Sequence, residues 1–360
     1  MRGKRAGRGQ PYFYPMAKIF VTRRIPDAGL RLLRSRGAQV VLGQSDDEAG
    51  LDRAALIRGV READVLLSLI TEQVDREVLE ANAALLGVAN QAVGFNNIDV
   101  ETATELGIPV SNTPGVLTET TADLTWALLL AVARRIPESD AYLRAGRFKI
   151  WSPTMLLGAD VGPGPDERRK VLGIVGFGRI GQAVARRAAG FDMRVLAHDP
   201  AHRDRVDAFP GVQWAELDTL LELSDFVCLH PRMTPASRHL IDEARLRSMK
   251  PTAFLVNVAR GELVDEAALV RALREGWIAG AALDVYEDEP RVAEGLAELP
   301  NTVLVPHIGS ASGETRDRMA EIAATNALHH VIGQRAPQCV NPEVYETEAW
   351  RGRVARLQPS

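Results

Sequence analysis

The sequence predicts an α/β protein of two doubly wound parallel-sheet domains, one inserted into the other. Three observations predict it. Strand-like apolar runs alternate with helical stretches along most of the chain, the pattern of a parallel sheet covered by helices. A glycine turn, "GFGRIG" at 176–181, sits between a strand and a helix near mid-chain rather than at the start. A long helical stretch, "SGETRDRMAEIAATNALHHVIG", follows the last strand with no sheet of its own to cover. A chain of 360 residues is also too long for one ordinary core.

The elements follow in order. "KIFVTRRIP" is a short strand ending in a proline turn, and "AGLRLLRSRG" has helical spacing and a glycine stop. "AQVVLG" is the next strand, and "READVLLSLI" and "EVLEANAALLGVANQAVGFNNID" each run from helix to strand. "LTETTADLTWALLLAVARRIPESDAYLRAG" reads as one long helical stretch, with Thr118 or Thr120 as its N-cap. A second alternation starts at "KVLGIVGFG". It continues through the strands "MRVLAHDP", "DFVCLH", "TAFLVNVA", "IAGAALDV" and "TVLVPHIG", with helices between them. "GADVGPGPDERRKVLG", ahead of the glycine turn, reads as a surface loop.

The first alternation is an incomplete α/β domain that the late helix can return to complete. Residues 16–117 and 307–345 are therefore expected to form one domain and 118–306 the inserted one. Residues 346–360 are expected as a tail. The linkers near "NTPGV" and "HIGSAS" make a hinge, and the cleft between lobes is the default ligand site.

Composition narrows the function classes. A net charge of −4 argues against nucleic acid or an acidic membrane as main partner. Two cysteines without a CxxC pair give neither a disulfide framework nor a metal site, and suit a reducing cytoplasm. No stretch approaches the ~18 apolar residues of a membrane span. Residues 1–15, "MRGKRAGRGQPYFYP", are basic and are expected as a disordered extension, with Met16 as an alternative start.

The chemistry begins at the glycines. Gly176 allows the tight turn, Gly178 lets backbone approach a pyrophosphate, and Gly181 lets helix and strand pack closely. Phe177, Arg179 and Ile180 fill the turn, whose phosphate would rest on the helix N-terminus. Asp199, 18 positions after Gly181, suits ribose hydroxyls and repels a 2′-phosphate. NADH is thus the expected cofactor, with NADPH as the alternative. Arg260, Glu289 and His307 stand at strand ends on the carboxyl side of the second sheet. A guanidinium fork can hold a carboxylate and polarise a carbonyl. A histidine beside a carboxylate can protonate an alkoxide.

The ordered set "VGFNNID", "NTPGVLTETTADL", "GFGRIG", "NVARGELVDE", "LDVYEDEP" and "PHIGSAS" resembles the D-isomer-specific 2-hydroxyacid dehydrogenases over about residues 17–345. The likeness is strongest to their glyoxylate/hydroxypyruvate reductase branch. The resemblance implies two Rossmann-like domains and a homodimer. It implies reduction of a small 2-keto acid by the triad Arg260, Glu289 and His307. It further implies cofactor contacts at His198, Pro200, His230, Val258, Ala259 and Gly309. Asp284 would meet the nicotinamide carboxamide. Val93 and Gly94 would offer backbone amides to the substrate carboxylate, and Trp151 would reach a partner's active site. Alternatives are a phosphoglycerate dehydrogenase, disfavoured because the chain ends soon after the late helix, and a non-catalytic dinucleotide sensor of the corepressor kind. Glu289 stands where the formate dehydrogenase branch carries glutamine. "LHPRMT", from His230 to Thr234, departs from the family run.

Overall fold

The computed structural model describes residues 17–44 and 50–357, so the expected basic extension at 1–15 lies outside the described residues. Two compact units appear. One is made of residues up to Val116 and from Ser312 onward, the other of Leu117–Ala311.

The first unit begins with β1 (Lys18–Val21), α1 (Asp27–Ser35), β2 (Gln39–Leu42), α2 (Arg53–Arg61) and β3 (Val65–Ser68). It continues with α3 (Arg76–Glu80), β4 (Gly87–Asn90), α4 (Val100–Glu105) and β5 (Val110–Ser111). Its parallel sheet has the order β2-β1-β3-β4-β5, one of the two common doubly wound orders. β3 and β4 are buried throughout, which is why they read as unbroken apolar runs. Asp52, Asp75 and Asp99 cap α2, α3 and α4, each accepting a backbone N–H from the first turn.

The second unit holds α5 (Thr118–Ala133), α6 (Ile136–Arg144), β6 (Val171–Val175), α7 (Arg179–Ala188), β7 (Arg194–His198), α8 (Arg203–Asp207) and β8 (Val212–Trp214). After these come α9 (Leu217–Leu223), β9 (Phe226–Leu229), α10 (Glu243–Ser248), β10 (Phe254–Asn257), α11 (Glu266–Glu275), β11 (Gly280–Leu283) and β12 (Thr302–Leu304). The seven strands are parallel in the order β12-β11-β10-β9-β6-β7-β8. The order reverses at β6, so the crevice beyond the carboxyl ends of β6 and β9 is the switch point where such sheets bind ligands. One apolar cluster, with Trp126, Leu129 and Phe177, covers one face, and another, with Leu220, Leu246 and Leu269, covers the other.

The chain then returns through α12 (Gly313–Val331) and α13 (Glu348–Ala355). The returning helix packs into the first unit. Ala320, Ala323, Ala324 and Ala327 pack with Ile19, Val65, Leu67 and Ala89. A Cβ on Gly29 of α1 would meet the Ala320 carbonyl oxygen at 2.7 Å, so the two helices cross at backbone distance.

Four expectations change. The long helical stretch is two helices, broken at Arg135 (φ 53°), where Pro137 enters the second. The N-cap of α5 is Leu117, not Thr118 or Thr120. The boundary expected at 307 falls after Ala311, because the backbone N–H groups of His307, Ile308 and Gly309 all bond to Asp284 within the second unit. Residues 346–360 are not a plain tail: α13 buries Trp350 and Arg353. The Arg353 guanidinium donates to the carbonyls of Ala83, Leu85 and Leu106 at 2.9, 2.7 and 2.7 Å. Residues 159–170 form the expected loop without regular structure, but Val161 anchors it in the core. Among the described residues no helix is long and apolar enough to cross a membrane.

Candidate active site

Each glycine of the turn meets a different surrounding. Gly176 has φ 87°, and a Cβ there would strike the Pro231 nitrogen at 2.5 Å and the His230 carbonyl carbon at 2.6 Å. A Cβ on Gly181 would lie 2.3 Å from the Gly176 carbonyl oxygen. Gly178 is different: among the described residues, its chain neighbours aside, nothing lies within 4 Å of an added Cβ. It is also the N-cap of α7 and supplies no side-chain cap, so the N–H groups that follow, from Arg179 and Ile180, lack the side-chain acceptor most helices carry there. This open, uncapped cradle fits a dinucleotide pyrophosphate.

Asp199 follows β7. One oxygen accepts the Phe177 N–H at 2.9 Å and the other lies 3.3 Å from His202 Nδ1. The His198 ring bonds the Ala215 carbonyl at 3.1 Å, and its own carbonyl receives the Gly176 N–H. His198 thus braces the glycine turn through its backbone, while Pro200 is exposed. His230 follows β9, and its Nε2 is buried with no protein partner among the described residues. Burial pushes its pKa down to about 3, so the ring is neutral and keeps one nitrogen for a ligand.

At the carboxyl edge of β10 to β12 the three strand-end residues come together. His307 Nδ1 bonds Glu289 Oε2 at 2.9 Å, which leaves Nε2 for proton transfer. Burial raises the Glu289 pKa, but the His307 bond and charge, the Tyr286 N–H and the Arg260 charge outweigh it and hold the carboxyl below its usual range. Burial lowers the Arg260 pKa, against the charges of Glu262 and Glu289; a guanidinium stays charged there. Arg260 is set by a turn that Asn257 braces, donating to the Arg260 carbonyl at 2.8 Å and accepting the Ala259 N–H at 3.1 Å. Val258 and Ala259 lie in that turn.

His307 has φ 52°, a left-handed conformation uncommon outside glycine. Asp284 over-determines it. The Asp284 carbonyl takes the His307 N–H, and its two carboxylate oxygens take the N–H groups of Ile308 at 2.5 Å and Gly309 at 2.8 Å. Burial is the main cause that raises the Asp284 pKa to about 6. Asp284 therefore anchors the histidine segment, a role its position in "LDVYEDEP" did not signal. Thr121 donates to the Gly309 carbonyl at 2.9 Å.

In the first unit, the loop after β4 carries Val93 and Gly94. Asn112 donates to the Val93 carbonyl at 2.8 Å and Asn90 to the Gly94 carbonyl at 2.9 Å. In a trans peptide the N–H points opposite to the C=O, so the amides turned away from these braces are those of Gly94 and Phe95. Phe95 was not among the expected residues. Trp151 is 69% exposed, and Ile136, Leu143, Phe148, Ile150 and Leu157 around it are exposed as well.

A histidine with a carboxylate partner, on the same sheet edge as a dinucleotide cradle, belongs to the NAD(P)-dependent oxidoreductases. The comparisons narrow the class. The family model described as D-isomer specific 2-hydroxyacid dehydrogenase, NAD binding domain, matches residues 126–309. A glyoxylate reductase of Thermococcus onnurineus is 48% identical over 91% of this chain and 96% of its own. One of Korarchaeum cryptofilum is 50% identical over the same shares. Among solved structures, a Thermus thermophilus protein has a TM-score of 0.82 at 44% identity, covering 90% of this chain and 99% of that one. The NADPH-dependent glyoxylate/hydroxypyruvate reductase of Sinorhizobium meliloti, in complex with NADP and malonate, has a TM-score of 0.75 at 32% identity over 91% and 97%. The chain belongs to the D-isomer-specific 2-hydroxyacid dehydrogenases.

Proposed function

We propose that this enzyme reduces glyoxylate, or a keto acid of similar size such as hydroxypyruvate, to the D-2-hydroxy acid with NADH. The observation that carries the reading is the 2.9 Å bond between His307 Nδ1 and Glu289, with the Arg260 charge beside it. The names of the relatives support the substrate. Arg260 clamps the keto acid's carboxylate and polarises its carbonyl, and the amides of the Val93–Gly94 loop add donors to the carboxylate. His307 delivers a proton from Nε2 to the forming alkoxide, and Glu289 orients the ring through Nδ1. A bound nicotinamide supplies the reducing equivalent. Gly176 to Gly181, Asp199, His230, Val258, Ala259 and Gly309 would hold the cofactor. The unbridged cysteines, Cys228 and Cys339, accord with a cytoplasmic enzyme.

The test is loss of NADH absorbance on adding glyoxylate, hydroxypyruvate, pyruvate or phosphohydroxypyruvate in turn. Glyoxylate or hydroxypyruvate should give the highest kcat/KM. A protein that binds NADH and turns over none of them is a dinucleotide sensor instead.

Asp199 decides the cofactor. Its carboxylate should repel the 2′-phosphate of NADPH, so kcat/KM should be higher with NADH. Asp199→Ser combined with Pro200→Arg should shift the preference toward NADPH. A wild-type enzyme that favours NADPH, as the Sinorhizobium neighbour is described to do, would remove that role from Asp199.

The exposed apolar run from Ile136 to Leu157 supports a homodimer, in which Trp151 bounds the partner's substrate pocket. Mixed dimers of Trp151→Ala and His307→Ala subunits should keep the wild-type substrate profile, because the one competent site retains the partner's tryptophan. A profile matching the Trp151→Ala homodimer places the residue in cis, and a monomer at micromolar concentration refutes the arrangement.

A further inference from the structure

Glu266 is the first residue of α11 and is only 5% exposed. A buried carboxylate costs several kcal/mol unless its oxygens are bonded, so mere space-filling would be served better by an apolar side chain. The Glu287 N–H donates to its Oε1 at 2.8 Å, and the Ala293 N–H lies near enough to pull its pKa down. These two peptides lie on either side of Glu289. The same segment is pressed from behind, since a Cβ on Gly261 would fall 1.9 Å from the Tyr286 carbonyl carbon and 2.3 Å from the Glu287 nitrogen. Gly261 directly follows Arg260. The Glu287 peptide is therefore clamped by Glu266 on one side and abutted by the arginine-bearing turn on the other.

We propose that Glu266 is a positioning residue for the reduction, fixing the 286–293 loop so that Glu289 stays in register with His307 and Arg260. The inference rests on the roles given above to Glu289 and His307. Glu266 touches neither reacting atoms nor cofactor and acts through the loop. Burial raises its pKa against the two N–H groups, and its place at the N-terminus of α11 favours the carboxylate.

The charged surroundings are specific. Asp284 from the end of β11 acts on His307 and Glu289. Arg260 and Glu262 come from the turn after β10. Tyr286 comes from the loop itself. Glu287 is held by Arg238 at 2.5 Å and by His239 at 2.7 Å. None of these groups spans the loop as Glu266 does, so its loss is not made good by a neighbour.

The test compares Glu266→Ala, Glu266→Gln and Glu289→Gln with the wild type by the pH profile of keto-acid reduction, NADH affinity and thermal melting. Glu266→Ala should lower kcat roughly 10- to 100-fold, the scale of a misplaced catalytic group. It should move the basic limb of the profile to lower pH, the direction expected of Glu289→Gln, with NADH affinity unchanged. Glu266→Gln keeps one oxygen for the Glu287 N–H and should fall between wild type and alanine. If Glu289→Gln shifts the limb while both Glu266 variants keep the wild-type profile, the positioning role is refuted, whatever the melting temperature does. If the alanine variant fails to fold, the glutamine variant decides alone: an unshifted limb refutes the proposal. If Glu289→Gln leaves the limb in place, the failure belongs to the underlying dyad.

Discussion

Alanine at His307 is expected to lower kcat for keto-acid reduction by roughly 10²–10⁴-fold, the ordinary scale of general acid catalysis, and to leave NADH binding unchanged. The effect is large because a carbonyl reduced without a positioned acid must draw its proton from water. Binding is spared because the ring bonds Glu289 rather than any part of the glycine turn. Glu289→Gln separates the proton from the ring. The His307 bond and charge pull the Glu289 pKa down against burial, an attraction between carboxylate and charged ring. An amide loses that attraction. Reduction needs the protonated ring, so the basic limb should move to lower pH. An unmoved limb takes Glu289 out of the proton's path, and a His307→Ala enzyme of near-normal kcat takes the histidine out of it.

The parts of this molecule that read directly from sequence are those where one physical cause acts locally. Strands buried on both faces, such as β9 and β10, cannot avoid being apolar runs. Gly181 is forced by the Gly176 carbonyl five residues away, and Gly176 by its own φ of 87°. Arg260, Glu289 and His307, the residues proposed for the chemistry, stood out as a group because they come after strands that were themselves legible. Other features depend on partners distant in sequence. Glu266 and Glu287, or Arg353 and Ala83, meet only in three dimensions, so an isolated Glu or Arg looked like a surface charge. The break at Arg135 lay hidden in a run of good helix formers, although Pro137 was a signal, since the residue before a proline is biased away from helix. The boundary near His307 moved because three successive N–H groups choose Asp284, and no local pattern encodes that.

The glycine turn offers the sharpest separation of fold from ligand. Gly178→Ala should leave the melting temperature where it is and weaken NADH binding by about 1–3 kcal/mol, the usual cost of forcing a methyl into an occupied space, or roughly 5- to 150-fold in Kd. The φ of −73° suits alanine, and among the described residues no atom beyond its chain neighbours lies within 4 Å of the new Cβ, so a bound ligand is what it would meet. Gly176→Ala should do the reverse first. At φ 87° the substitution strains the backbone by about 1–2 kcal/mol. Its Cβ also collides with the peptide joining His230 to Pro231, which no rotamer can relieve. That peptide belongs to the "LHPRMT" run where the sequence departs from its family, so the strand end beside the cradle would shift and the melting temperature should fall by several degrees. Fluorescence titration with NADH and thermal melting of the two variants read these effects independently. A Gly178→Ala protein that binds NADH like the wild type would mean that the pyrophosphate does not rest on α7, and the cradle would have to be sought elsewhere on the sheet.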